Sequence, residues 1–205
     1  MDAKTYLDIL HTAEILKNQT RHSYTSAGRH ESVAEHSWRL TLMAYFLKDE
    51  FPEADINKVI AMCMFHDVGE IFTGDIPTFL KNNTDEQVEE DQVQIWLRTL
   101  PDPYQEELTA LFAEMKELKT AEAKLYKALD KMEAVIQHNE ADISTWLPLE
   151  YDLQLNYGEK EVQCSDFTRR LKKAVDEETR NKIIEANTDL KVCEACDILK
   201  ENAKE

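Results

Sequence analysis

The sequence has 205 residues, with 24 Lys and Arg against 41 Asp and Glu, a formal charge of −17 at neutral pH. That length suits one compact domain with a sizeable core and is short for two ordinary ones, and the charge repels nucleic acid and anionic membrane surfaces. The longest apolar run, Val59 to Phe65, falls far below the roughly 20 residues of a membrane-spanning helix. Asp2, Lys4 and Asp8 surround no apolar stretch of secretory type, so neither a membrane protein nor a secreted precursor is expected. Four scattered cysteines lack the density of a disulfide scaffold, which points to a reducing, cytoplasmic setting. Cys193 and Cys196 make a lone CxxC without the second pair a structural zinc site needs; they read as two ordinary cysteines on one helix face.

Only four Gly and five Pro occur, while helix-favouring residues abound, so nearly all of the chain should be helical. In chain order, Tyr6, Leu7, Leu10, Ala13, Ile15 and Leu16 predict a helix over about 4–18. A polar stretch from Asn18 to Glu31, holding Arg21, His22, Arg29 and His30, reads as the longest loop before the core. Ser32-Val33-Ala34-Glu35 is a capping box for a helix to about Lys48 and sets His36 in its first turn. Asp55 can cap a helix that is apolar nearly all round, hence expected to be buried, and that delivers His66 and Asp67 at its end. Thr84-Asp85-Glu86-Gln87 predicts a second capping box and a helix to about Leu100, ended by Pro101-Asp102-Pro103. Helices from about Tyr104 to Leu118 and from a Thr120 cap to about Asn139 follow. Beyond a Trp146-Leu147-Pro148 turn, residues from Gly158 onward read as one or two amphipathic helices, with a frayed tail past about Leu199.

A histidine and a carboxylate side by side at the end of a very apolar helix are costly to bury unless something satisfies them, and a divalent cation would. His36 and Asp130 lie on helices with suitable apolar stripes and could complete its shell with His66 and Asp67. Two imidazoles and two carboxylates suit a transition ion better than Ca or Mg. Each residue also has an ordinary reading: His36 as a first-turn helix residue, His66 as a satisfied core histidine, Asp130 as a partner for Lys127 or Lys131.

Glu35-His36-Ser37, His66-Asp67-Val68-Gly69-Glu70, Gly74-Asp75-Ile76-Pro77-Thr78 and Asp130-Lys131, in that order and spacing, resemble the motifs of the HD-domain phosphohydrolases. Within these the sequence is most similar to the compact bacterial 5′-deoxynucleotidase-like branch, over about residues 5–155. The resemblance implies an all-α, compact helical HD-domain bundle, with residues 1–155 as the core and 156–205 as a helical extension packed on the same domain. It implies that His36, His66, Asp67 and Asp130 bind one divalent ion, Mn or Co in that branch, with Fe, Zn and Ni as further candidates.

The resemblance places Glu70 and Asp75 near the reacting water and phosphate as proton-handling residues, and matches Arg21 to a phosphate-binding arginine. A pair with Arg29 or Lys81 and a Gly74-Asp75 turn are the ordinary readings of the two acids; Lys81 could add positive potential for the substrate. The family's tryptophan after the arginine is replaced here by His22, beside the sugar. Trp146 and Tyr151 read as buried packing rather than as a base stack.

The implied activity is metal-dependent hydrolysis of nucleoside, above all deoxynucleoside, 5′-monophosphates to nucleoside and phosphate. The alternatives are hydrolysis of another small phosphate or a pyrophosphorylated nucleotide, and a non-catalytic helical protein held together by metal. Related small proteins dimerise, so a homodimer is expected by analogy.

Overall fold

The computed structural model describes residues 1–186; Cys193, Cys196 and the tail beyond Leu199 lie outside the described residues. Among the described residues the fold is all-α apart from one two-stranded ribbon. The chain forms two compact units, one of Met1–His22 with His30–Tyr126, the other of Ser23–Arg29 with the described residues from Lys127 onward.

In the first unit, Asp2 accepts hydrogen bonds from the Lys4 and Thr5 amides and starts α1 (Ala3–Glu14), which runs into a 3₁₀ turn, Ile15–Lys17. The polar stretch expected as a loop instead pairs as β1 (Thr20–Tyr24) and β2 (His30–Ser32). Short strands of polar residues carry little alternation, so the pairing left no mark in the pattern. Ser32 caps α2 (Val33–Tyr45) as the box predicts: the Glu35 amide donates to Ser32 Oγ at 3.2 Å and the Ser32 amide to Glu35 Oε2 at 2.9 Å. Asp55 accepts from the Lys58 amide at 3.1 Å and opens α3 (Ile56–Phe65), the chief packing partner of α2.

Val59, Met62 and Cys63 of α3 are buried, yet Met64 is 50% exposed. An apolar composition all round therefore did not mean burial all round. A one-turn helix, α4 (Glu70–Thr73), ends at Gly74, whose φ of +74° turns the chain to present Asp75, a conformation side chains resist. The next helix, α5 (Asn83–Leu97), is capped by Asn82, two residues before the predicted Thr84 cap. Asn82 accepts from the Thr84 and Asp85 amides, and Asp85 accepts from the Asn82 amide. A second Asx/acid pair at the same spacing was hidden behind the more familiar Thr signal. After α6 (Tyr104–Glu117) comes α7 (Ala121–Glu140), capped by Thr120 Oγ1 accepting from the Ala123 amide at 3.1 Å. Val33, Val68, Ile71, Val93, Trp96 and Leu97 form much of the first unit's core.

In the second unit, α7 continues to Glu140 and is followed by α8 (Glu150–Asn156) and α9 (Asp166–Glu185). Trp146 and Tyr151 are buried, with ring centroids 5.6 Å apart, and pack with Ile183. The Trp146 indole donates to the His138 carbonyl at 3.1 Å, which settles these aromatics as core. Among the described residues no helix is long and apolar enough to cross a membrane.

Candidate metal centre

The carboxyl end of α3 and the first turn of α2 bring three donor atoms together. His36 Nε2 and His66 Nε2 are 3.1 Å apart, His66 Nε2 and Asp67 Oδ2 3.0 Å, and His36 Nε2 and Asp67 Oδ2 3.7 Å. Metal bonds of about 2.0–2.2 Å at angles between square and tetrahedral separate neighbouring donors by about 2.9–3.6 Å. Two edges of the triangle fall within that range and the third, His36 to Asp67 at 3.7 Å, lies just beyond it, so the triangle is close in size to one face of a transition-metal shell. His66 Nδ1 lies 2.9 Å from the Cys63 carbonyl, which can only accept, so Nδ1 carries the proton and Nε2 keeps its lone pair. His36 is fully buried and Asp67 half-buried. Burial pushes the Asp67 carboxyl up, but without a metal the imidazoles of His66 and His36 in their protonated form, with Arg21, outweigh it and hold the group well below the usual carboxylate range.

Around this triangle the first unit sets further charge. Arg21, on β1, reaches Asp67 Oδ2 with one guanidinium nitrogen at 3.4 Å, and its Nε lies 3.2 Å from Oε2 of Glu31 on β2. Glu31 is 2% exposed; sequence reading missed it because an acid beside a capping box looks solvated. The Glu70 side chain is buried as well, and among the described residues its Oε2 has no hydrogen-bond partner. Burial first, then the charges of Asp67 and Asp75, push the Glu70 carboxyl up to about 10. Burial likewise raises Asp75, with Arg21 opposing. An orphaned buried carboxylate oxygen, a bare imidazole pair and an ionised Asp are what a divalent ion with attached water would satisfy, so the donor set fits such an ion.

Lys81 donates to Glu89 of α5. Burial opposes the Lys81 charge, yet Glu89 keeps the ammonium pKa above its ordinary value. Glu89 is the second residue that sequence reading missed. A Cβ on Gly69 would sit 2.6 Å from Glu89 Cγ, so glycine there is what lets α5 approach the His-Asp turn. His22 meets Phe79 edge-on, centroids 5.5 Å apart. Asp130 belongs to the second unit, where Lys127 donates to its Oδ2 at 2.8 Å.

A family model described as an HD domain matches residues 13–172. The human protein named 5′-deoxynucleotidase HDDC2 is 32% identical over 143 residues, 67% of this chain and 69% of that one. Its counterpart in Bos taurus is 31% identical over 146 residues, 67% and 68% of the two chains. A solved structure from Magnetospirillum magnetotacticum MS-1, described as a predicted metal-dependent phosphohydrolase, superposes with a TM-score of 0.72 over 89% of this chain and 96% of that one, at 23% identity, a likeness of fold. With the His-Asp turn at the end of α3 and a matching helical frame, the chain belongs to the HD-domain family.

Proposed function

We propose that this protein is a metal-dependent phosphomonoesterase that hydrolyses nucleoside 5′-monophosphates, deoxynucleotides above all, to nucleoside and phosphate. The observation that carries the reading is the donor triangle of His36, His66 and Asp67 set beside Arg21 and the orphaned Glu70 oxygen. Asp130 is proposed as the fourth ligand on its match to the family motif. A bound ion, Mn or Co by preference, would supply Lewis acidity toward a phosphoryl oxygen and a water acidified toward neutrality.

The chain's own groups supply the rest. Arg21, oriented by Glu31, binds phosphate oxygens with its guanidinium fork. Glu70 and Asp75, both buried or nearly so, carry the proton that the leaving 5′-oxygen needs. Lys81 is proposed to add positive potential for the substrate, and His22 to lie beside the sugar, on its match to the family's tryptophan position.

Free Cys63 and Cys164 support a reducing, cytoplasmic setting. A homodimer is proposed by analogy, and the exposed stripe of Trp38, Leu42 and Tyr45 on α2 supports it. The net charge argues against nucleic acid as a partner.

A phosphate-release screen over deoxynucleotides, ribonucleotides and sugar phosphates, with Mn, Co, Mg and Zn varied, tests the reading. Release from deoxynucleoside 5′-monophosphates that chelation abolishes is expected. Turnover that survives chelation, or none on any monophosphate with any metal, would overturn it.

A further inference from the structure

Behind the His-Asp turn the first unit holds a cavity of about 560 Å³, within the roughly 300–1,000 Å³ common for small-molecule sites. It shares His66 and Lys81 with the candidate centre and is otherwise walled by α5, α6 and the start of α7. Part of its lining is apolar and partly aromatic, with Val93, Phe112, Met115 and Tyr126. The rest is polar, and its charges are largely spoken for: Lys81 is engaged by Glu89 and Lys116 by Glu90. Among the described residues the Glu86 carboxylate makes no ion pair and the Gln94 side-chain amide no hydrogen bond.

Three carboxylates against two ammonium groups leave the cavity with one negative charge. It therefore disfavours a second phosphate and suits the uncharged end of a monophosphate. A lining that combines aromatic and apolar side chains with the unengaged acceptors of Glu86 and Gln94 is complementary to a nucleobase that presents N–H donors.

We infer that this cavity takes the nucleobase of the substrate, with Glu86 and Gln94 reading its edge and favouring bases that carry an exocyclic amino group over thymine and uracil. The assignment rests on the nucleotidase reading above. Adenine, cytosine and guanine donate from that amine, whereas thymine and uracil turn a carbonyl toward the carboxylate, and like partial charges oppose each other.

The test has two arms on metal-loaded protein: binding of deoxycytidine, deoxyadenosine and thymidine by ligand-observed NMR, and kcat/KM for their 5′-monophosphates. Wild type is compared with Glu86→Gln, an exposed substitution that keeps the fold, and with Ala113→Trp, which fills the cavity from an exposed position on α6. Amino bases should be preferred about fivefold or more in wild type. Glu86→Gln should erase most of that preference, and Ala113→Trp should weaken every nucleoside about tenfold or more. An unchanged base ratio in Glu86→Gln, or undiminished nucleoside binding in Ala113→Trp, would overturn the assignment. Nucleoside binding that responds to both substitutions without phosphate release would instead sink the phosphomonoesterase reading and leave the cavity assignment standing.

Discussion

The Nε2 atoms of His36 and His66 face each other at 3.1 Å, and the Cys63 carbonyl, by taking the Nδ1 proton of His66, leaves its Nε2 as an acceptor. A cation between the rings would satisfy both lone pairs and tie α2 to α3. Metal at about 100 times its Kd should then add about 2.7 kcal/mol of stability. Thermal melts with and without Mn²⁺ measure this increment, which should vanish in His66→Ala. An equal increment in wild type and variant would contradict the ligand role.

Glu70 gives the metal-free protein a pH signature. Its carboxyl is held near 10 in the fold against an ordinary 4.5, so the native state binds the extra proton. Stability contributed by that proton is fully present below about 4.5 and declines as pH rises toward 10, because the unfolded chain releases it first. In chelated protein, Glu70→Gln should be increasingly more stable than wild type from pH 5 to pH 9. A constant difference in denaturant melts across that range would contradict the buried, protonated Glu70.

With metal bound, Glu70→Gln and Asp75→Asn keep shape and remove charge. If these acids carry the proton for the leaving oxygen, kcat on a deoxynucleotide should fall by roughly 10²-fold or more while metal content holds. Unchanged kcat in both would return them to structural roles.

Much of this site was legible in the chain. The Ser32-Glu35 box sets His36 in a first helical turn and an apolar helix delivers His66 and Asp67 at its end, but only the order and spacing of the family motifs single them out as ligands; their donor atoms lie within 4.8 Å of one another. What stayed hidden depends on contacts between segments. Glu31 and Glu89 matter through Arg21 and Lys81, partners 10 and 8 residues away, and no local periodicity distinguishes such an acid from a solvated one. The β1–β2 ribbon that aims Arg21 was invisible for the same reason. The exposed Met64 departed from expectation because composition does not say which faces are covered.

Glu31 predicts a positioning effect. Losing the Glu31 charge, whose Oε2 lies 3.2 Å from Arg21 Nε, should raise KM for nucleotides roughly 10-fold in Glu31→Gln, with a smaller change in kcat. Arg21→Ala should do at least as much. Wild-type kinetics in both would remove the phosphate clamp.

His22 predicts a loosened sugar preference. Imidazole can hydrogen-bond a 2′-hydroxyl that an indole wall would exclude, and its edge contact with Phe79 leaves it half-buried. The ratio of kcat/KM for a matched deoxyribo and ribo pair should rise in His22→Trp. An identical ratio would rule out His22 as the discriminator.

Anomalous diffraction at the manganese edge, from crystals of the full chain grown with Mn²⁺, reaches the central claim most directly. One peak should lie about 2.0–2.3 Å from His36 Nε2, His66 Nε2 and an Asp67 oxygen, and it should disappear in Asp67→Ala. No peak at that triangle, or a peak that persists without the Asp67 carboxylate, would contradict the metal centre on which the proposed hydrolysis depends.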